Sequence, residues 1–313
     1  MSSCQHTLGK KVEDMESQHQ SRWKAIAKVL RFGFWAVLLL LVLWQFWKPA
    51  QLDANRADLV RRFQEQRKSR VIALIHGEDT INFFGVPVGS FINMEDSESI
   101  LRAIRLTPPD QPIDFILHTP GGLVLAAEQI AHALVEHKGK VTVFVPHYAM
   151  SGGTLIALTA DEIVMDPNAV LGSVDPQIGD MPAASIVKLL KQKPRTQISD
   201  EMLVLIDVAG KARLQVAAFL SEVLLKHLPK ADAVRLAVAL SEGRWTHDFP
   251  ITVEGARQLG LSVSTQMPTI IYELMDLYPQ SGIGRPSVLY VPFRKSTLNN
   301  SQDGPGPDQE RKS

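Results

Sequence analysis

The chain has 313 residues, 45% of them hydrophobic and 21% charged, enough for about two ordinary domains or one large domain with appendages. Lys plus Arg and Asp plus Glu each total 33, so the formal net charge is zero, which argues against a dedicated nucleic-acid binder. Cys4 is the only cysteine, which excludes an internal disulfide framework, a cysteine-based structural zinc site and an iron–sulfur cluster.

Residues 1–28 read as a polar N-terminal tail. Residues 29–48 are expected to form one transmembrane helix. Within it, positions 32–47 (FGFWAVLLLLVLWQFW) hold only Gly33 and Gln45 as non-apolar residues. That stretch alone spans about 24 Å as a helix. Adding Val29 and Leu30, with Arg31 snorkelling, brings it close to the roughly 30 Å hydrocarbon core. Trp35, Trp44 and Trp47 fit an interfacial aromatic belt. A buried core helix would carry a polar face, and a cleaved signal peptide would need a small-x-small site that residues 50–54 lack. Lys24, Lys28 and Arg31 abut the N-terminal side and place the N-terminus in the cytoplasm, in a single-pass protein expected in a bacterial inner membrane.

Residues 49–69, with Arg61, Arg62, Glu65, Arg67 and Lys68, read as a solvated helical linker. Beyond it, 71–75, 113–117, 141–145 and 162–165 are short apolar runs rich in β-branched residues. Helical patterns over 97–105 and 123–136 alternate with them. Strands alternating with helices predict an α/β domain with a parallel sheet, over 70–292. Longer helices are predicted at 183–191, 199–227 and 231–240, and a last α/β piece at 245–275. Residues 293–313 have the composition of a disordered tail.

Two motifs carry the chemistry. His118-Thr119-Pro120-Gly121-Gly122 follows a strand and precedes a helix, where backbone amides can approach an anion. Pro-Gly-Gly is also an ordinary tight turn. Ala149-Met150-Ser151-Gly152-Gly153-Thr154 follows the next strand and opens an apolar helix. A serine on such a turn projects its hydroxyl out of the sheet, and the next N–H can serve an oxyanion hole. It could equally be a helix N-cap. Together the motifs are more specific, because consecutive parallel strands bring both loops to one sheet edge. A hydroxyl beside preorganised amides is what acyl transfer needs.

The segments HTPGG, YAMSGGT, ADEIVMDPNAVLGSVDPQIG and GRWTHDFPITVEGARQLGL resemble the membrane-associated serine proteases of the Clp/crotonase fold. Within them the chain is most similar to the serine dehydrogenase proteinases, relatives of signal peptide peptidase A. The resemblance covers about 70–292 and implies a Clp/crotonase-like domain with long packing helices. It implies Ser151 as nucleophile, Gly121, Gly122 and Gly152 as the oxyanion hole, and a homo-oligomer acting on peptide or membrane-protein segments at the bilayer.

The segment after the nucleophile helix, Gly172-Ser173-Val174-Asp175-Pro176-Gln177, lacks the histidine of a Clp-type triad. The signal peptide peptidase relatives use a lysine, so the base is expected among Lys188, Lys191, Lys193 and Lys211. A buried lysine can serve if desolvation lowers its pKa from about 10.4 towards 7–8. Lys211 stands first because it interrupts an apolar helix, although Asp207 at i−4 offers an ordinary surface pair. Lys193, before Pro194, stands second. His118 and His147 flank the site as alternative bases. His247 and Asp248, adjacent on an extended segment, would face opposite ways. No metal or nucleotide motif is present and no cofactor is expected. The rival readings are a crotonase-like acyl-CoA enzyme and an inactive membrane scaffold of the same fold.

Overall fold

A computed structural model describes residues 28, 30–35, 37–39, 51–77, 81–83, 86–88 and 91–278. The predicted N-terminal tail up to residue 27, part of the predicted membrane helix and the C-terminal tail lie outside them. The described positions from 28 to 39 are helical, with Phe32, Phe34 and Trp35 exposed. Among the described residues, no helix is long and apolar enough to cross a membrane.

The folded unit begins earlier than expected. Residues 51–67 form a helix (α1), but it is docked rather than solvated. Leu59 and Phe63 are buried against Val71, Ile116, Phe144, Val164, Ile271 and Leu274. Phe63 meets Phe144 edge to face at 5.6 Å. Arg67 grips the buried carboxylate of Asp114 through two hydrogen bonds of 2.6 and 3.1 Å, and Ser69 donates a third. Arg56 donates to the carbonyl of Leu277 and lies over the Tyr278 ring. The charges that suggested a solvated helix therefore sit beside an apolar stripe that packs on the domain.

Strand β1 (Arg70–Ile75) follows, then a small antiparallel pair, β2 (Ile81–Phe83) and β3 (Val86–Val88). Helix α2 (Met94–Arg105) starts at a capping box. Asn93 accepts from the Glu95 and Asp96 amides, and the Asp96 carboxylate accepts from the Asn93 amide. Next come β4 (Ile113–His118), α3 (Val124–Val135), β5 (Val141–Val145), β6 (Tyr148–Ala149), α4 (Gly152–Ala157) and β7 (Glu162–Met165). Both β4 and β5 are buried at every position, as central strands of a parallel sheet are. Short strands β8 (Val170–Leu171), β9 (Gln177–Ile178) and β10 (Met181–Pro182) lead to α5 (Ala183–Gln192), the 25-residue α6 (Asp200–Leu224) and α7 (Lys230–Ser241). The chain closes through β11 (Ile251–Thr252), α8 (Val253–Gln258), β12 (Val263–Ser264) and α9 (Thr269–Met275).

The main sheet has the order β1-β4-β5-β7-β12, all parallel. Its strands are laid down in chain order, so the order never reverses and there is no switch-point crevice of the doubly wound kind. The functional loops are instead gathered by a second, smaller sheet, β11-β8-β6. Its strand β6 is bridged to Thr119, just past the end of β4. The α/β parallel architecture is thus as the sequence predicts. The large core lies between the sheet, α2, α3, α4, α6 and α7. A separate small core, Ala183, Ile186, Ile206 and Ala209, joins α5 to α6.

Candidate active site

Ser151 sits between β6 and α4 with φ 52° and ψ −118°. A non-glycine residue rarely adopts this conformation, which costs about 1–3 kcal/mol and persists only where its surroundings enforce it. Here they do. The Gly153 amide donates to Met150 O at 2.7 Å, and Thr154 Oγ1 donates to Ala149 O at 2.7 Å while accepting from the Gly172 amide at 2.9 Å. Ser151 precedes α4, but its side chain makes no capping hydrogen bond. The hydroxyl is therefore not used to satisfy a helix end.

The glycine loop is held against this turn. The Thr119 amide donates to Tyr148 O at 3.2 Å, and the Met150 amide donates to Thr119 O at 3.0 Å. On the other side, the Ile92 amide donates to Gly121 O at 2.8 Å, and the Leu123 amide to Ile92 O at 2.9 Å. Because Gly121 O and the Leu123 N–H face Ile92, strand alternation turns the Gly122 N–H the other way. A Cβ on Gly121 would stand 2.7 Å from Ser151 Cβ and 3.2 Å from the Gly152 nitrogen. One on Gly122 would meet Ile92 O at 2.3 Å. One on Gly152 would lie 3.8 Å from the Gly122 nitrogen. The Gly122 and Gly152 backbones thus lie close together beside Ser151. Gly152 is the first residue of α4, so its N–H has no acceptor within the helix.

Ser151, Gly122 and Gly152 line a cleft of about 420 Å³. Its walls are largely apolar, with Phe91, Val124, Leu155, Val174 and Val216. Its titratable residues are Asp175 and His247. The His247 ring Nδ1 lies 2.9 Å from Asp175 Oδ1. Asp175 is buried and also accepts from Ser173 Oγ and, at 2.6 Å, from Gln177 Nε2. Burial pushes its carboxyl pKa up, but the His247 and Ser173 hydrogen bonds and the His247 charge outweigh it and hold it below the ordinary value. The carboxylate is an acceptor, so in the neutral ring the proton lies on Nδ1, facing Asp175, and the lone pair is on Nε2.

The lysines stand elsewhere. Lys211 is exposed on α6, its Nζ 2.5 Å from Asp207, the i−4 surface pair the sequence already offered. Lys193 caps the C-terminus of α5 and is exposed, as is Lys191. None of Lys188, Lys191, Lys193 and Lys211 lines the cleft. His118 and His147 stack on one another at 5.6 Å and are likewise not among the lining residues. For His247 the sequence offers its neighbour Asp248 as a partner, facing the opposite way. Its actual partner lies 72 positions earlier, brought near by the antiparallel pairing of β11 with β8. Among the described residues, no group of His, Cys, Asp and Glu is arranged to hold a metal ion.

Residues 21–304 match the family model of the ClpP-like SDH-type serine proteinases. An uncharacterized protein of Methanocaldococcus jannaschii is 51% identical over 249 residues, covering 80% of this chain and 85% of that protein. A second from the same organism is 50% identical over 269 residues, covering 86% and 94%. Among solved structures, a serine-to-alanine mutant of the 1510-N membrane-bound stomatin-specific protease is 20% identical with a TM-score of 0.40. That match covers 59% of this chain and 79% of that one.

Proposed function

The chain belongs to the ClpP-like SDH-type serine proteinases, and on that premise we propose that it is a membrane-anchored peptidase cleaving peptide bonds through an acyl-enzyme on Ser151. The observation that carries this reading is the enforced backbone of Ser151 beside the two glycine amides. Strain held at a serine with an unused hydroxyl is expected of a nucleophile and not of a cap.

In the proposed reaction Ser151 Oγ attacks the scissile carbonyl carbon. His247 Nε2 takes the hydroxyl proton, and the Gly122 and Gly152 amides hold the oxyanion. Collapse of the tetrahedral intermediate breaks the C–N bond, and the amine leaves with the proton from His247. A water then repeats the steps to release the acid. Asp175 fixes the tautomer and orientation of His247 and offsets the imidazolium charge. The lysine base implied by the resemblance stays the second reading; His247 is placed first because it lines the cleft with Ser151 and Lys188, Lys191, Lys193 and Lys211 do not.

The apolar cleft favours apolar side chains in the substrate, as in membrane-derived peptides or membrane-protein segments. Residues 32–47 supply the anchor in this reading, and their apolar run supports it. Val204, Val208 and Leu214, exposed on α6, favour a homo-oligomer built on the long helices.

The test uses full-length protein in detergent and a fluorogenic peptide with leucine before the scissile bond. Ser151→Ala abolishes turnover while the protein stays folded. His247→Gln and Asp175→Asn each cost on the order of 10³-fold or more in kcat. Lys193→Met and Lys211→Met stay within about threefold of wild type, since neither change touches the cleft. If a lysine variant is inactive and His247→Gln is active, the base is a lysine. Near-normal activity in Ser151→Ala ends the nucleophile assignment, and an inactive wild type leaves the scaffold reading.

A further inference from the structure

Gly121 has φ 105° and no side chain, so its dihedrals are fixed only by what holds the peptide planes on either side. The plane on its C-terminal side is held by the Ile92 amide on Gly121 O. That bond turns the Gly122 N–H away from Ile92. The plane on its N-terminal side is anchored by the Gly121 N–H donating to Thr119 Oγ1 at 3.1 Å. Thr119 is fully buried, and its hydroxyl oxygen lies 2.8 Å from Nδ1 of His76. His76 sits just past β1, where its amide donates to His118 O at 2.8 Å, which sets the ring beside Thr119. Nε2 of the same ring lies 3.4 Å from the carboxylate of Asp96, the capping-box residue of α2.

A hydroxyl has one proton and two lone pairs. With a lone pair of Thr119 Oγ1 taken by the Gly121 N–H, its proton has two acceptors in reach. They are His76 Nδ1 at 2.8 Å and Gly121 O at 3.4 Å. Taking the shorter contact leaves Nδ1 bare and puts the ring proton on Nε2, facing Asp96; in the other tautomer Nδ1–H donates to Thr119 Oγ1 and the hydroxyl donates to Gly121 O, which links the same residues. In either tautomer the chain Asp96–His76–Thr119–Gly121 is continuous, and it ends on the loop that carries the Gly122 amide.

We infer that His76 and Thr119 form a positioning relay that sets the orientation of the oxyanion-binding glycine loop. Neither residue is among those that line the cleft, so their proposed role is through the loop. The inference rests on the acyl-enzyme reading of Ser151. A relay of this kind acts mainly on kcat, because it seats the loop on which the Gly122 amide binds the developing oxyanion. Loss of an oxyanion donor outright costs about 10²–10³-fold, and loosening one costs less.

The experiment measures kcat and KM for the leucine peptide, and the rate of labelling by a fluorophosphonate probe, on full-length protein in detergent. Thr119→Val replaces the hydroxyl by a methyl of similar size. It lowers kcat and labelling rate about 10- to 100-fold with KM within about twofold. Thr119→Ser restores the hydroxyl and recovers activity to within about threefold. His76→Leu behaves as Thr119→Val. His76→Asn, whose Oδ1 can stand in for Nδ1, recovers most of the loss. The double variant Thr119→Val with His76→Leu is no slower than either single, since both cut one chain. Independent structural damage would instead multiply the two losses. A multiplicative double variant, or Thr119→Val labelling at the wild-type rate, overturns the relay. Absence of labelling at Ser151 in the wild type is a different failure, that of the acyl-enzyme reading itself.

Discussion

At the residue scale the site is defined by positions that admit almost nothing else. Gly121→Ala puts a methyl 2.7 Å from Ser151 Cβ and 2.9 Å from Met150 O, at a φ that side chains rarely adopt. The expected result is folded protein with kcat reduced by at least about 10²-fold, read with the leucine peptide alongside circular dichroism. His76 makes a separate prediction. Burial is the larger influence and pulls its pKa below 6.5, against the opposing pull of Asp96. The unfolded chain therefore binds more protons than the folded one between that lowered value and about 6.5. Its contribution to stability is present above about pH 6.5 and is lost as pH falls through the folded value. Urea unfolding at pH 7.5 and pH 5.5 checks this. His76→Asn should lose less stability across that interval than wild type, and an equal loss would contradict the assignment. The strand–turn–helix placement of Ser151, Gly122 and Gly152 was legible in the sequence because such motifs are local, whereas Gly121, expected in the oxyanion hole, donates its N–H to Thr119 Oγ1 instead. The His247–Asp175 pair was not, because it depends on two loops meeting across 72 residues. The Lys211 expectation shows the opposite case. An interrupting lysine looks purposeful until its Asp207 partner, one turn away, accounts for it.

At the element scale the sheet and helices follow from periodicity. The predicted strand at 162–165 coincides with β7, and the predicted helix at 183–191 falls within α5. What periodicity missed is α1, whose charged face hid a narrow buried stripe at Leu59 and Phe63. Two apolar positions four apart are too few to outweigh the seven charged residues of 51–67 in a window read without a partner surface. The consequence is measurable. Phe63→Ala should destabilise the domain by about 3–5 kcal/mol, the usual cost of deleting a buried aromatic ring, seen as a shift of the urea midpoint with unchanged m-value. A change below about 0.5 kcal/mol would mean that α1 is dispensable. By the same reasoning, a fragment starting at residue 70 loses the Arg67–Asp114 ion pair and leaves a buried carboxylate without its guanidinium. A fragment starting at 49 keeps both.

At the scale of the whole molecule, one folded unit spans α1 to α9 and presents an apolar cleft beside Ser151. Deleting residues 1–48 should release this unit from membranes in soluble, folded form. Full-length protein should resist carbonate washing. Release of the full-length protein by carbonate would end the anchor proposal while leaving the site untouched. The measurement that bears most directly on the central claim is intact-mass analysis of full-length protein after reaction with a fluorophosphonate probe, with the adduct mapped by peptide fragmentation. The account predicts one adduct per chain, on Ser151, absent from Ser151→Ala and formed far more slowly in His247→Gln. An adduct on another residue, or equal labelling of Ser151→Ala, would contradict it.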